Sequence, residues 1–430
     1  MRLSLPLIAI TMASISVIVP AQESSSAAAA HSDLVYVIYV SRHGVRSPTG
    51  KSSQYDRFSS AAWPTWSVQP GYLTPHGYEL MRLFGAYDRI DLEERGLFKH
   101  AACVDAGRVT FHADSDQRTR ETARALAEGM FPGCSVGVQA LAEGTNDPIF
   151  HLPPSAITAQ DGALGAAAIS GRVGENPAGI ADDYHQQLAE LDAVLANCGV
   201  TAPSTRRTSI FDVPVSIVPG ADDHIAEMRG PLNTASTLAE NLLLEYVEGF
   251  DKKDVGWGCV DGAKLRRLIG LHTAAFDLAQ RTLAISVPQV LPLLQVIDRS
   301  LQQAITGKPV QGALGKPGDK ALFLVGHDTN LANLSGALGL DWLLDGRSND
   351  TPPGSTLIIE LWKSSKPASY SVRMYFTTQT LEQMRNSEPL NESRKPPRVR
   401  VFIPGCSQAD GACAAAAFQH AIESIMSVER

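Results

Sequence analysis

The chain has 430 residues, enough for one large domain or two of ordinary size. With 44% hydrophobic and 19% charged residues its composition is globular, which excludes a disordered or fibrous protein. The formal net charge of −8 argues against nucleic acid or an anionic membrane surface as the main partner, because both need a basic face; a small anion would be held only where the few cations gather in one cleft.

The chain opens with a positive Arg2, a mostly apolar run Leu3–Val19, and small residues at the −3 and −1 positions of a cut after Ala21. This pattern predicts a secretory signal peptide over residues 1–21. A membrane anchor is the weaker reading, since the run is short for a bilayer span and the polar stretch Gln22–Ser32 follows it. A second cleavage point lies in the run Ala27–Ala30, and no other segment reads as transmembrane.

Leu34–Val40 is continuously apolar and β-rich, the mark of a buried strand in a parallel sheet. Arg108–Ala113 reads as a weaker strand, followed by helical composition over Glu121–Met130. Asn176–Asn197 and Leu232–Tyr246 are helix-prone, and between residues 153 and 280 only Ser209–Val218 looks β-like. Ala321–Val325 is a third buried strand, and Leu331, Leu334 and Leu338 then recur with helical spacing. Thr356–Trp362 and Ser369–Thr378 read as a C-terminal hairpin. Strands alternating with helices predict an α/β fold: a central, mainly parallel sheet flanked by helices (residues 33–152 and 281–430), with a second, mostly helical cap inserted over 153–280.

The six cysteines show neither a C-x-x-C nor a finger-spaced His, so a zinc site is not indicated. In an oxidising compartment three disulfides are expected. Cys406 and Cys413 are close in sequence, Cys103 and Cys134 bracket one strand–helix unit, and Cys198 and Cys259 pair by elimination.

In open α/β sheets ligands bind beyond the carboxyl ends of the strands. The three expected strands end in Ser41-Arg-His-Gly-Val-Arg-Ser-Pro48, Asp114-Ser-Asp-Gln-Arg-Thr119 and Gly326-His-Asp-Thr-Asn330. If they are neighbours, three Arg, two His and an Asp converge. A phosphate monoester carries acceptor oxygens that suit Arg forks. Arg42, Arg46 and Arg118 would hold them, with His327 as a further donor. His43 lies between Arg42 and Arg46, whose charge disfavours imidazolium and keeps a ring nitrogen free to attack. Asp328 would protonate the leaving oxygen, which points to an acidic pH optimum and requires no metal or other cofactor. Taken singly, the first segment could be a basic loop, the His-Asp pair could be structural, and Arg118 could be a solvated helix start. It is their joint occurrence after apolar strands that favours chemistry.

These segments resemble the histidine acid phosphatases, the branch of the histidine phosphatase superfamily with R-H-G-x-R-x-P and H-D motifs, and lie closest to its periplasmic bacterial phytase/acid phosphatase group. The resemblance rests on Ser41–Thr49, Ala62–Thr65, Leu73–Pro75, Asp114–Arg120, Gly256–Gly258, Gly326–Leu334, Thr351–Gly354 and Gln379–Met384. It implies that His43 becomes phosphohistidine, that Arg42, Arg46, Arg118 and His327 bind the transferred phosphate, and that Asp328 is the proton donor. Thr49, Asp114 and Glu240 align near the substrate pocket, Glu240 having a helix-surface carboxylate as its bland alternative. The resemblance further implies a secreted, periplasmic, monomeric enzyme acting on small phosphate monoesters, phytate or a sugar phosphate, with no nucleic acid or membrane partner. Two positions depart from the phytase pattern: Gly50 stands where a Lys follows the motif, and Gln289 where a second pocket Arg is expected, with Lys51 as the candidate to compensate. No Cys stands near Phe150–Gln160 or at the C-terminus for one further disulfide of that group. A glucose-1-phosphatase is the alternative enzyme, and a non-catalytic phosphate-ester binding protein the alternative of another class, disfavoured by the presence of both His43 and Asp328. A mutase is disfavoured by Val45 and Arg46 where such relatives carry Glu.

Overall fold

The computed structural model describes residues 32–174, 176–196, 198, 207–365 and 368–427, so the signal-peptide expectation lies outside the described residues. The chain begins with β1 (Ser32–Arg42), then α1 (Ser52–Tyr55), α2 (Pro75–Glu94), α3 (Ala102–Ala106), β2 (Val109–Ala113), α4 (Gln117–Met130) and β3 (Val138–Gln139). A helix-rich stretch follows: α5 (Ala159–Val173), α6 (Ile180–Asp183), α7 (His185–Leu195), the hairpin β4 (Ser216–Pro219) and β5 (Ala226–Arg229), α8 (Pro231–Val247) and α9 (Gly262–Ala279). The chain returns through α10 (Leu283–Thr306), β6 (Ala321–Gly326), α11 (Asp328–Leu338), the small hairpin β7 (Leu343–Leu344) and β8 (Arg347–Ser348), and the long pair β9 (Thr356–Ser365) and β10 (Ala368–Thr377). It ends with α12 (Leu381–Arg385), β11 (Arg398–Val401), β12 (Cys413–Ala414) and α13 (Ala415–Ser427).

One sheet runs in the order β11-β10-β9-β1-β6-β2-β3, with β12 against β10. Its core is parallel from β1 through β6 and β2 to β3, and β9, β10 and β11 extend it antiparallel. Register puts Arg42 beside Gly326 and Ala113 beside Val325, so β1, β6 and β2 end level with one another. Stacked rings hold that register: Tyr39 lies 4.3 Å from Phe323, and Phe111 lies 4.7 Å from the other side of it.

The unbroken apolar run of β1 follows from burial on both faces. Tyr36, Ile38 and Val40 pack with Leu293, Ile297, Leu331 and Leu334 of α10 and α11. Val37 and Tyr39, pointing the other way, pack with Phe84 of α2 and Leu126 of α4. A separate apolar cluster joins α7, α8 and α9 through Leu191, Leu242 and Leu268. Of the β-like run expected over Ser209–Val218, only Ser216–Pro219 is strand. Its first part is a 3-10 turn over Ile210–Asp212, because the Asp192 and Ser209 side chains accept the backbone N–H groups of Ile210 and Phe211. The pairs Cys103–Cys134, Cys198–Cys259 and Cys406–Cys413 are bonded. Among the described residues no helix is long and apolar enough to cross a membrane.

Two acids on or beside α8 link stability to pH. Burial pushes the Glu245 carboxyl up to about 8, against the hydrogen bond it accepts from Gly256 N–H at 2.9 Å. Burial likewise raises Glu248 to about 7, against its bond with the Thr74 hydroxyl. The folded form therefore holds protons that the unfolded chain releases, and stability falls as pH rises from the ordinary carboxyl range towards 7–8. Glu245→Gln keeps an acceptor for Gly256 and removes the titration. The variant should match the wild type near pH 4 and exceed it at pH 8 by about 2–4 kcal/mol in chemical unfolding. An equal difference at both pH values would contradict the assignment.

Candidate active site

The three level strand ends bring together residues far apart in sequence. Arg42, His43 and Arg46 follow β1, Asp114 and Arg118 follow β2, and His327 and Asp328 follow β6. Because β6 lies between the other two, His327 stands at the centre of the row. Glu240 comes from α8, far along the chain, and joins them. Thr49 is exposed. A side-chain carbon at Gly71 would touch both its methyl group and the Arg118 guanidinium, which puts Thr49 at the rim of the same cleft.

Main-chain bonds pin the loop after β1. His43 N–H donates to Gly326 O and Gly354 N–H to His43 O, each at 2.9 Å. Gly44 N–H donates to the Thr122 hydroxyl at 2.9 Å, and Thr74 N–H to Val45 O at 3.1 Å. Gly44 is needed for space rather than for an unusual backbone angle: a Cβ there would stand 2.8 Å from Met81 Cγ. Gly77 is tighter still, since its Cβ would fall 2.1 Å from Val45 O. Thr74 caps α2 by accepting Gly77 N–H, and Pro75 starts the helix, so the Leu73-Thr-Pro75 motif sets how closely α2 approaches the loop. The Gly256-Trp-Gly258 motif turns Trp257 against Trp63, 5.0 Å between centroids, where its indole N–H donates to Ala62 O.

His43 is buried, and its Nδ1 lies 2.8 Å from Gly44 O. A carbonyl only accepts, so Nδ1 carries the hydrogen, and in the neutral ring Nε2 keeps its lone pair. Burial, then the charges of Arg118, Arg42 and Arg46, hold this imidazole well below the usual histidine range. Its Nε2 therefore keeps its lone pair at acidic pH.

Each guanidinium has a carboxylate beside it. Arg42 contacts Glu240 and, at 2.9 Å, Asp328, and donates to Thr351 O at 2.6 Å. Arg46 lies 3.3 Å from Glu240, and Arg118 lies 2.5 Å from Asp116. Burial alone would raise the Glu240 carboxyl, yet Arg46 and Arg42 keep it well below its ordinary value, so it is ionised. The Nε donors of Arg42, Arg46 and Arg118 are all buried and have no hydrogen-bond partner among the described residues. A buried donor left unpaired costs about 1–3 kcal/mol, and an anion rich in acceptors is the group that three such donors suit.

His327 Nε2 lies 2.5 Å from Asp114 Oδ2, and its Nδ1 lies 3.4 Å from Arg118. The rings of His43 and His327 meet edge-on at 5.6 Å.

Residues 33–171 and 277–377 match the Histidine phosphatase superfamily (branch 2). The chain is 34% identical to the phytase AppA of Escherichia coli (strain K12) over 421 residues, 95% of this chain and 96% of that one. The chain belongs to the histidine phosphatase superfamily, branch 2. It is a phosphoric monoester hydrolase, a phytase-like histidine acid phosphatase. A Hafnia alvei phytase in complex with tartrate superposes with a TM-score of 0.83 at 33% identity, covering 91% of this chain and 97% of that one. The same phytase solved with myo-inositol hexakis sulphate superposes with a TM-score of 0.80. A glucose-1-phosphatase of Providencia rettgeri is more distant, 27% identical over 86% of each chain.

Within this phosphatase the two departures noted in sequence have local causes. A side chain at Gly50 would meet the Tyr55 hydroxyl at 2.3 Å, so Tyr55 occupies that space, and the neighbouring Lys51 is exposed. Gln289 donates to Asp223 O at 2.7 Å, from α10 to the β4–β5 turn. The sequence reading missed Thr122, Asp116 and His151. Thr122 and Asp116 sit in or next to a recognised motif, and only the fold says which backbone or guanidinium they serve. His151 follows Asp-Pro-Ile-Phe, with no spacing signal pointing to the site, yet its Nε2 lies 2.9 Å from Asp114.

Proposed function

We propose that the chain hydrolyses phosphate monoesters at acidic pH through a phosphohistidine at His43, with phytate as the preferred substrate class. One observation carries this reading: an imidazole with a free Nε2 stands among three guanidiniums whose Nε donors are unpaired. His43 Nε2 attacks phosphorus and the P–O bond to the alcohol breaks. Asp328 delivers a proton to the departing oxygen. A water that gives its proton to Asp328 then attacks phosphorus, the P–N bond breaks, and inorganic phosphate leaves. Arg42, Arg46, Arg118 and His327 hold the non-bridging oxygens and offset the charge that builds on them. Asp114 orients His327, Glu240 orients Arg42 and Arg46, and Thr49 borders the substrate pocket. These residues supply attack, protonation and charge stabilisation without a metal ion.

The preference for phytate is supported by the similarity to AppA and to the Hafnia phytase that holds an inositol hexakis sulphate. The uncharged Gly50 and Gln289 favour the second reading, a sugar-phosphate phosphatase, because they remove cations that a highly charged substrate would use. A panel at about pH 5 separates the two: kcat/KM should be higher on phytate than on glucose 1-phosphate, and the reverse order would install the second reading. The helical stretch 153–280 is proposed as the cap over the cleft, residues 33–152 and 281–430 forming the phosphatase domain. The enzyme is proposed to be monomeric, and secreted to the periplasm through residues 1–21.

A further inference from the structure

His151 is tied into the site more firmly than a surface imidazole. The segment before it is fixed at both ends. Asp147 accepts Ile149 N–H and contacts His112 of β2, while Asn330 of α11 donates to Phe150 O and accepts His327 N–H. His151 is thereby held so that its ring centroid lies 5.0 Å from that of His327.

Both rings use the same acceptor. Asp114 Oδ2 lies 2.5 Å from His327 Nε2 and 2.9 Å from His151 Nε2. A carboxylate oxygen only accepts, so both Nε2 atoms carry hydrogen. The rings then differ in what faces the other nitrogen. His327 Nδ1 looks at the Arg118 guanidinium at 3.4 Å, which repels a second proton. His151 Nδ1 looks at the Asp223 carboxylate at 3.5 Å, which attracts one. Asp223 is held in place by Gln289 on its carbonyl and has the exposed His224 at 3.8 Å. Asp116 also faces the pair, 3.7 Å from His327 Nε2.

We propose that His151 is a positioning residue that controls the protonation of His327 by competing with it for the single carboxylate of Asp114. The inference rests on the phosphate-donor role proposed above for His327. To donate from Nδ1 to a phosphate oxygen, His327 must gain a second proton. It must do so beside an imidazolium that Asp114 and Asp223 already stabilise. The directions agree: burial opposes charge on both rings, yet His151 is raised by Asp114 and Asp223, whereas His327 is lowered, with Arg118 and His151 adding to burial. His151 thus confines phosphate capture to acidic pH, and it does so through Asp114 and without touching the substrate.

The test is the alkaline limb of kcat/KM against pH for p-nitrophenyl phosphate, on the full chain as wild type, His151→Asn, Asp223→Asn and the double variant. Removing the competing imidazolium should move the limb up by about 0.5–1 pH unit. Asp223→Asn, at a half-exposed turn position that folding should tolerate, should move it the same way by less. The double variant should move it no further than His151→Asn alone, because Asp223 acts only through His151. A limb that stays put or falls in both single variants, whatever happens to kcat, overturns the proposal. Phosphoenzyme trapping on the wild type separates the two failures. Without labelled His43 the function reading itself fails; with it, an unmoved limb removes only this inference.

Discussion

His43→Ala is expected to lower kcat on p-nitrophenyl phosphate by at least ~10⁴-fold, because the proposed nucleophile is lost while the groups proposed to bind phosphate stay. Acid-quenched wild type should carry one phosphate mapped to residue 43, and the variant none. Its fold should survive: the backbone bonds that residue 43 donates to Gly326 O and accepts from Gly354 N–H do not involve the ring. The wild-type acid limb should lie low as well. Burial and three guanidiniums press the His43 pKa well below the usual imidazole range, so Nε2 stays unprotonated and attack continues as pH falls below the ordinary histidine value. Labelling that persists in His43→Ala, or that maps to another residue, would move the nucleophile elsewhere.

Asp328→Asn should separate substrates by their leaving group. Phytate and sugar phosphates expel an alkoxide that needs a proton, so their kcat should fall by about 10²–10⁴-fold. p-Nitrophenolate departs without help, and its loss should be about tenfold or less. The side chain sits at the first residue of α11, with Oδ1 accepting Thr329 N–H and Oδ2 2.9 Å from Arg42. Asn preserves the first bond, so a uniform loss across substrates would mean that residue 328 serves by holding Arg42, not by moving a proton.

The strands that carry the site were legible because burial on both faces leaves an unbroken apolar run, as in Leu34–Val40 and Ala321–Val325. Polar residues at the end of such a run stand out by contrast. The middle of the chain was less legible. Ser209–Val218 has strand composition, but side chains of Asp192 and Ser209 capture its first amides and turn it. Nor does the loop sequence show why residue 44 is Gly: what it provides is room for Met81 and α2, a demand made by a distant helix.

From local pattern alone, the chain determined three apolar strands with reactive ends, the helices that follow the second and third, and the Arg, His and Asp types that phosphate chemistry needs. Those features depend on neighbours a few positions away, which is the range over which side-chain periodicity acts. Tertiary structure alone decided that β6 lies between β1 and β2, that Glu240 arrives from α8 to offset Arg42 and Arg46, and that His151 shares Asp114 with His327. Sheet order and charge pairing join residues tens to hundreds of positions apart, and a charge gains or loses its proton according to what surrounds it in space.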